Sequence, residues 1–261
     1  MGHSTSRKPA LFFSDMHPTA SPLVVVGIAG LALVVALAWV VGYARATSSK
    51  SAFRAGGALV VWLALTGGLA AEGVLQRWDA RPPPFFLLLL VGLSLTIALA
   101  LGKVGACMAR ELPLAAIIGF QAFRLPLELV MHRAATEGTM PVQMTFTGWN
   151  FDIVSGASAI VVAWLVARGS APRWLVFAWG IMSSALLVTI VGIAVASMPI
   201  FGAFGRSPDR LATWVAYFPF SWLPAVLVAA ALFGQIVLFR RLAADRLSAR
   251  APVSRPRRSP A

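Results

Sequence analysis

The sequence predicts an all-α membrane protein, a bundle of seven transmembrane helices, and three observations carry that expectation. Hydrophobic residues make up 59% of the 261-residue chain and charged residues 12%, against roughly 45–50% and 25% in a soluble globular domain. Mean hydropathy is +0.81. The apolar residues are gathered into runs near the ~20 residues that a helix needs to cross a bilayer. A soluble enzyme, a disordered chain and a disulfide scaffold are excluded. Cys107 is the single cysteine, so neither a disulfide within the chain nor a cysteine-based metal or redox pair can form.

Seven spans are expected at about 22–44, 55–75, 84–108, 113–132, 152–168, 174–198 and 221–239. Each must be helical, because backbone polar groups in lipid have to be satisfied within their own segment. Breakers mark the joints: Pro82-Pro83-Pro84, Pro113, Gly138 with Pro141, Pro172, and Gly205 to Pro208. The third and fourth spans are separated by a few residues and should form a tight antiparallel hairpin. The first span resembles a signal peptide in having Arg7 and Lys8 before it and Ala44-Arg45-Ala46 after it. Its apolar core from Leu23 to Val41 is longer than the ~7–15 residues of such a peptide, so a retained helix is expected.

Orientation follows from the basic residues. The segments after spans one, three, five and seven hold 14 Lys and Arg, and the opposite set holds 7. The richer set is expected in the cytoplasm, with the N-terminus outside and the C-terminus inside. The net charge of +13 is thereby explained without nucleic acid. Residues 1–21 read as an extramembrane tail, 22–239 as the membrane domain and 240–261 as a disordered basic cytoplasmic tail lying against anionic lipid. Trp78, Trp149, Trp174, Trp214 and Trp222 fall at span ends, where interfacial aromatic belts form. No inverted repeat is visible.

The fourth span carries Gln121, Arg124, Glu128 and His132 at spacings of 3, 4 and 4, which put them on one helix face. A charge at mid-span costs about 2.5–3.5 kcal/mol on insertion scales, so this stripe should face the bundle interior. Glu128, one turn beyond Arg124, is the expected partner of its charge, and Pro126 should loosen the helix beside them. The stripe reads either as a structural ion pair fixing helix packing or as a functional pocket.

The following loop, residues 137–152, alternates hydroxyl and amide residues with Met, Phe and Trp, as suits a segment capping the bundle or dipping into the leaflet. Asn150 or Asp152 is expected to cap the fifth span. Glu72 lies near the same end of its own span and is a further member of a cluster with Glu128, His132, Asn150 and Asp152. Such a cluster can relay protons, bind a cation or act as an acid/base pair. His132 is the one histidine near a span, since His3 and His17 precede the first. This rules out a bis-His haem in the membrane. Glu128 and His132 supply two metal ligands where a catalytic zinc site needs three, and no Walker or dinucleotide motif occurs. No cofactor or metal is expected. Ser155-Gly-Ala-Ser158 reads as small-residue helix packing. Between 201 and 221, Arg206, Asp209 and Arg210 precede Leu211, Trp214, Val215 and Phe218, a pattern expected to form a short amphipathic surface helix or a lid.

The stretch Phe123-Arg124-Leu125-Pro126-Leu127-Glu128, with Pro141, Met144-Thr145-Phe146, Gly148, Asn150-Phe151-Asp152-Ile153 and Gly156, resembles a family of uncharacterised bacterial multi-pass membrane proteins. That family carries F-R-[IL]-P-x-E and then P-x-x-M-T-F-x-G-x-N-F-D-I-x-x-G. This chain departs from it at Trp149, where the family has a basic residue. The resemblance implies a bacterial inner membrane and singles out Arg124, Glu128, Asn150 and Asp152, with no activity attached. Three readings remain open: an outward-facing polar pocket that binds or moves a small solute or ion, an accessory subunit of a membrane complex with a protein partner, and an intramembrane acid/base enzyme.

Overall fold

A computed structural model of the chain describes residues 19–250. The expected N-terminal tail up to residue 18, with Arg7, Lys8, His3 and His17, and the basic tail from 251 onward lie outside the described residues. Those described are helical with irregular connections and contain no strand. Six helices are long and apolar enough to cross a membrane, which makes this a multi-pass helical membrane protein.

The helices are α1 (Pro22–Ala46), α2 (Ser49–Ala71), α3 (Pro84–Leu101), α4 (Lys103–Glu111), α5 (Leu114–Thr136), α6 (Ile153–Ala167), α7 (Arg173–Ala196) and α8 (Ala229–Arg250), the last entered through a π-helical turn at Leu223–Val228. Proline opens α1 and α3 at their first position, where its missing N–H costs nothing. The Ser48 hydroxyl accepts the Ser51 N–H to cap α2. Gly138, at φ 74°, turns the chain out of α5. Its N–H and that of Thr139 bond back to Ala135 O and Ala134 O, a termination that a left-handed glycine makes cheap.

Four sequence expectations change here. The third span stops at Leu101, because Gly102 takes an extended conformation; Lys103–Glu111 is a separate short helix between α3 and α5. The fifth apolar segment gives a helix of 15 residues, shorter than the other six. The last helix runs to Arg250, so residues 240–250 are not a disordered tail. Arg240 donates to Ala100 O and Gly102 O, and Arg241 to Ala109 O and Leu112 O. These arginines supply hydrogen bonds that the ends of α3 and α4 lack, and Asp245 pairs with Arg241. Finally, residues 201–221 form no amphipathic helix. They make two short 3₁₀ turns, and Leu211, Ala212, Trp214, Val215 and Ala216 are buried. Apolar side chains that would rest on a membrane surface instead plug one end of the bundle.

The two ends can be told apart by their contacts. At one, Ser21 N–H donates to Glu137, Thr139 donates to Thr19 O, Gln76 to Ala216 O, and Gln143 to Arg210 O. At Glu137 the Ser21 amide, helped by Arg133, holds the carboxyl below its usual range. At the other end, Cys107 Sγ meets Ala46 O, and α4 packs under α8. Each end has its own apolar core, and α8 is the most enclosed of the long helices. Large apolar side chains such as Val26, Leu37, Val60 and Val188 point outward from the bundle, the inverse of a soluble surface and the arrangement a lipid surround favours. Trp149 and Trp174 are exposed, as an interfacial belt requires, but Trp78 and Trp214 are buried core residues.

The closest crossing is between α5 and α6. A Cβ placed on Gly156 would collide with the backbone of Arg124 and Leu125. Replacing Gly156 by Ala should therefore lower stability by roughly 1–3 kcal/mol, the usual cost of overpacking. A detergent melt of the variant that overlays the native curve would contradict this crossing.

Candidate functional site

Helix α5 is not uniform. Leu114–Gly119 is α-helical, Phe120–Phe123 tightens to 3₁₀, and Arg124–Thr136 returns to α-helix. Pro126 lies exposed just past this change. The stripe faces inward over most of its length: Gln121, Arg124 and Glu128 are each 1% exposed. His132 is different. It is half-buried and stacks on Phe146 at 4.4 Å, toward the edge of the site.

Arg124 does not pair with Glu128. Its Nε donates to Asp152 Oδ2 at 2.6 Å, and Nη2 donates to Asp152 Oδ1. This is a two-point guanidinium–carboxylate pair, the strongest geometry available to arginine. The remaining nitrogen, Nη1, donates to Ser183 Oγ at 2.6 Å, and Ser183 O accepts from Nη2. Gln235 Nε2 also donates to Ser183 Oγ. One buried arginine thus joins α5 to the start of α6 and to α7, and Ser183 passes the link on to Gln235 of α8. Asp152 occupies the cap position of α6 but makes no side-chain cap bond. Its carboxylate turns to Arg124 instead, because a buried guanidinium without a counter-charge costs far more than a lost cap.

Glu128 is held by Asn150. Asn150 Nδ2 approaches both carboxylate oxygens, at 2.9 and 2.8 Å, and also Met144 O, while Asn150 Oδ1 accepts the Asp152 N–H. Asn150 therefore fixes the two acids relative to one another. The expectation that Asn150 and Asp152 act as helix caps is replaced by this role. Gln121 donates to Ala231 O on α8, and Gly234 leaves room for it, since a Cβ there would strike Gln121 Nε2. Glu72 does not join the cluster. It ends α2 as an exposed residue, and past Gly73 the chain folds back over the helix end with Leu75 buried.

Beside these groups lies a cavity of about 60 Å³, by volume large enough for a water molecule, whose wall is almost wholly apolar. Its ionisable lining residues are Arg124, Glu128 and Asp152, and the rest of its wall is apolar, including Phe85, Leu127, Leu187 and Leu223. Met144 from the loop before α6 and Ala212 and Val215 from the loop after α7 close it at one end. The charge count is uneven: one guanidinium against two carboxylates, with the guanidinium taken by Asp152. Among the described residues no group of three His, Cys, Asp or Glu side chains gathers to hold a metal ion. Sequence reasoning located Arg124, Glu128, Asn150 and Asp152 but gave no signal for Ser183 or Gln235. Each of these is one polar residue in an apolar helix, and its meaning comes from what it faces.

No family model matches the chain, and no curated protein or solved structure matches it. Its class rests on its own fold: a multi-pass helical membrane protein with charges buried in its interior.

The two acids should behave differently on neutralisation. Asp152→Asn leaves Arg124 buried and unpaired and should cost about 3–5 kcal/mol. Glu128→Gln removes a carboxylate that is in no ion pair among the described residues and should change stability little. Thermal unfolding in one detergent compares them, and equal losses would refute the assignment of the ion pair.

Proposed function

We propose that this chain is a bacterial inner-membrane protein of seven crossings, N-terminus outside, whose outer half binds or moves a small cation or proton at Glu128. The observation carrying this reading is Glu128 itself: 1% exposed, beside a cavity, hydrogen-bonded by an amide, and in no ion pair among the described residues, since the nearby Arg124 is engaged by Asp152. A lone carboxylate at that depth is costly unless it holds a proton or a counter-ion. Intramembrane acids with this property serve as ion and proton sites. The shorter α6 makes the seventh crossing, and the loops 137–152 and 197–221 form the outer cover.

The role of Arg124 in this reading is structural. It neutralises Asp152 and ties α5 to α6 and α7, leaving Glu128 as the exchangeable site. A second reading, that of an accessory subunit with the stripe as helix glue, is favoured by this same clamp, and it describes Arg124, Asp152, Ser183 and Gln235 well. It gives no reason for a cavity on Glu128. An acid/base enzyme using Glu128 and Asp152 together has least support, because Asp152 is committed to Arg124.

Two measurements test the proposal. The orientation predicts that a green fluorescent protein fused after residue 250 fluoresces, whereas an alkaline phosphatase fused there is inactive; the opposite pattern inverts the topology. For the site, thermal stability of purified protein is followed from pH 5 to 9 with sodium, potassium or a large organic cation as the salt. Wild type should be stabilised by acid or by one of the alkali ions, and Glu128→Gln should lose that response. A wild type that responds to neither, or a variant that keeps the response, defeats the assignment.

A further inference from the structure

We infer that the opposite end of the bundle holds one anionic phospholipid, its acyl chain in an apolar cavity and its phosphate among three basic side chains. This cavity and the one at Glu128 lie against different faces of the segment 223–231, and the inference does not depend on the reading given above. The cavity, of about 270 Å³, lies between α1, α2, α3 and the start of α8, with Trp39, Leu59, Trp62, Leu99 and Phe233 in its walls. Two polar atoms of that wall are turned to the backbone: Trp62 Nε1 donates to Ala225 O, and Thr96 Oγ1 to Gly92 O. Water entering would meet few partners, and an apolar occupant is preferred. In a bilayer the apolar occupant at hand is an acyl chain.

What fixes the kind of lipid is the mouth. Tyr43, stacked on Trp39 at 5.6 Å, lines both the cavity and an adjoining vestibule. That vestibule contains Lys103, Arg110 and Arg240 and no carboxylate. None of the three basic residues is in an ion pair among the described residues. Lys103 and Arg110 are exposed, and Arg240 spends Nη1 on Ala100 O and Gly102 O, leaving Nη2 and Nε for a ligand. An apolar slot that continues into three unpaired cations matches a molecule with a hydrocarbon chain on an anionic head. The break at Gly102 supports this assembly, because it ends α3 and allows α4 to carry Lys103 and Arg110 across the mouth.

The test uses purified full-length protein with phosphatidylglycerol, phosphatidylcholine of the same chains, and glycerol 3-phosphate, read by native mass spectrometry at matched concentrations. Phosphatidylglycerol should be retained at one molecule per chain, and glycerol 3-phosphate should not bind. Lys103→Ala with Arg110→Ala, both at exposed positions, should weaken retention at least about tenfold. Ala55→Phe, which fills the cavity from α2, should weaken it comparably with the charges intact. A melt of each variant verifies its fold. Equal retention of phosphatidylcholine, or an undiminished complex in the charge variant, overturns the headgroup site. Undiminished binding in Ala55→Phe shows that the lipid sits only on the basic surface and overturns the chain-in-cavity arrangement.

Discussion

The rest of the structure is arranged around a guanidinium that has no water to solvate it. Arg124 sits in the middle of a membrane-length helix at 1% exposure, and a charge there must find its partners inside the protein. Asp152 provides the counter-charge, and Ser183 provides the remaining acceptors. These requirements place α6 and α7 relative to α5. Gly156 can only be glycine at the resulting crossing, because bringing Asp152 up to Arg124 presses the first turn of α6 against the backbone of α5.

That arrangement separates two kinds of buried charge in one cluster. The Arg124–Asp152 pair is closed, with a two-point geometry and Ser183 taking the remaining donors, so it contributes rigidity. Glu128 is left over by the same pairing, one turn away. The protein could have avoided the cost of this residue with a glutamine of equal shape. A carboxylate retained beside a cavity and cradled by Asn150 is the part of the site that packing does not explain.

The covering loops follow from the same need. The polar cluster and its cavity lie toward one end, and irregular backbone is stable at that depth only when packed against protein. Residues 211–216 and 140–145 meet this condition by burying Met140 and Trp214 in the core and setting Met144, Ala212 and Val215 in the cavity wall. At the far end the opposite solution appears. There Arg240 and Arg241 of α8 reach across to satisfy the carbonyls that end α3 and α4, and the remaining basic groups face outward.

Sequence alone determined the elements that depend on local physics. Runs of apolar residues define membrane-length helices, prolines and glycines define their ends, and the 3-4-4 spacing puts Gln121, Arg124 and Glu128 on the buried side of α5. It also pointed to Asn150 and Asp152. What it could not determine was which acid answers Arg124. Glu128 is nearer along the helix, but both side chains leave the same face and run roughly parallel, whereas Asp152 approaches from a facing element and engages the fork at two points. Tertiary structure alone decided that choice, and with it the fate of Glu72, left exposed at the end of α2, and of Trp214, drawn into the core instead of the interface. Periodicity reports which way a side chain points. Only the packing of distant segments reports what it meets.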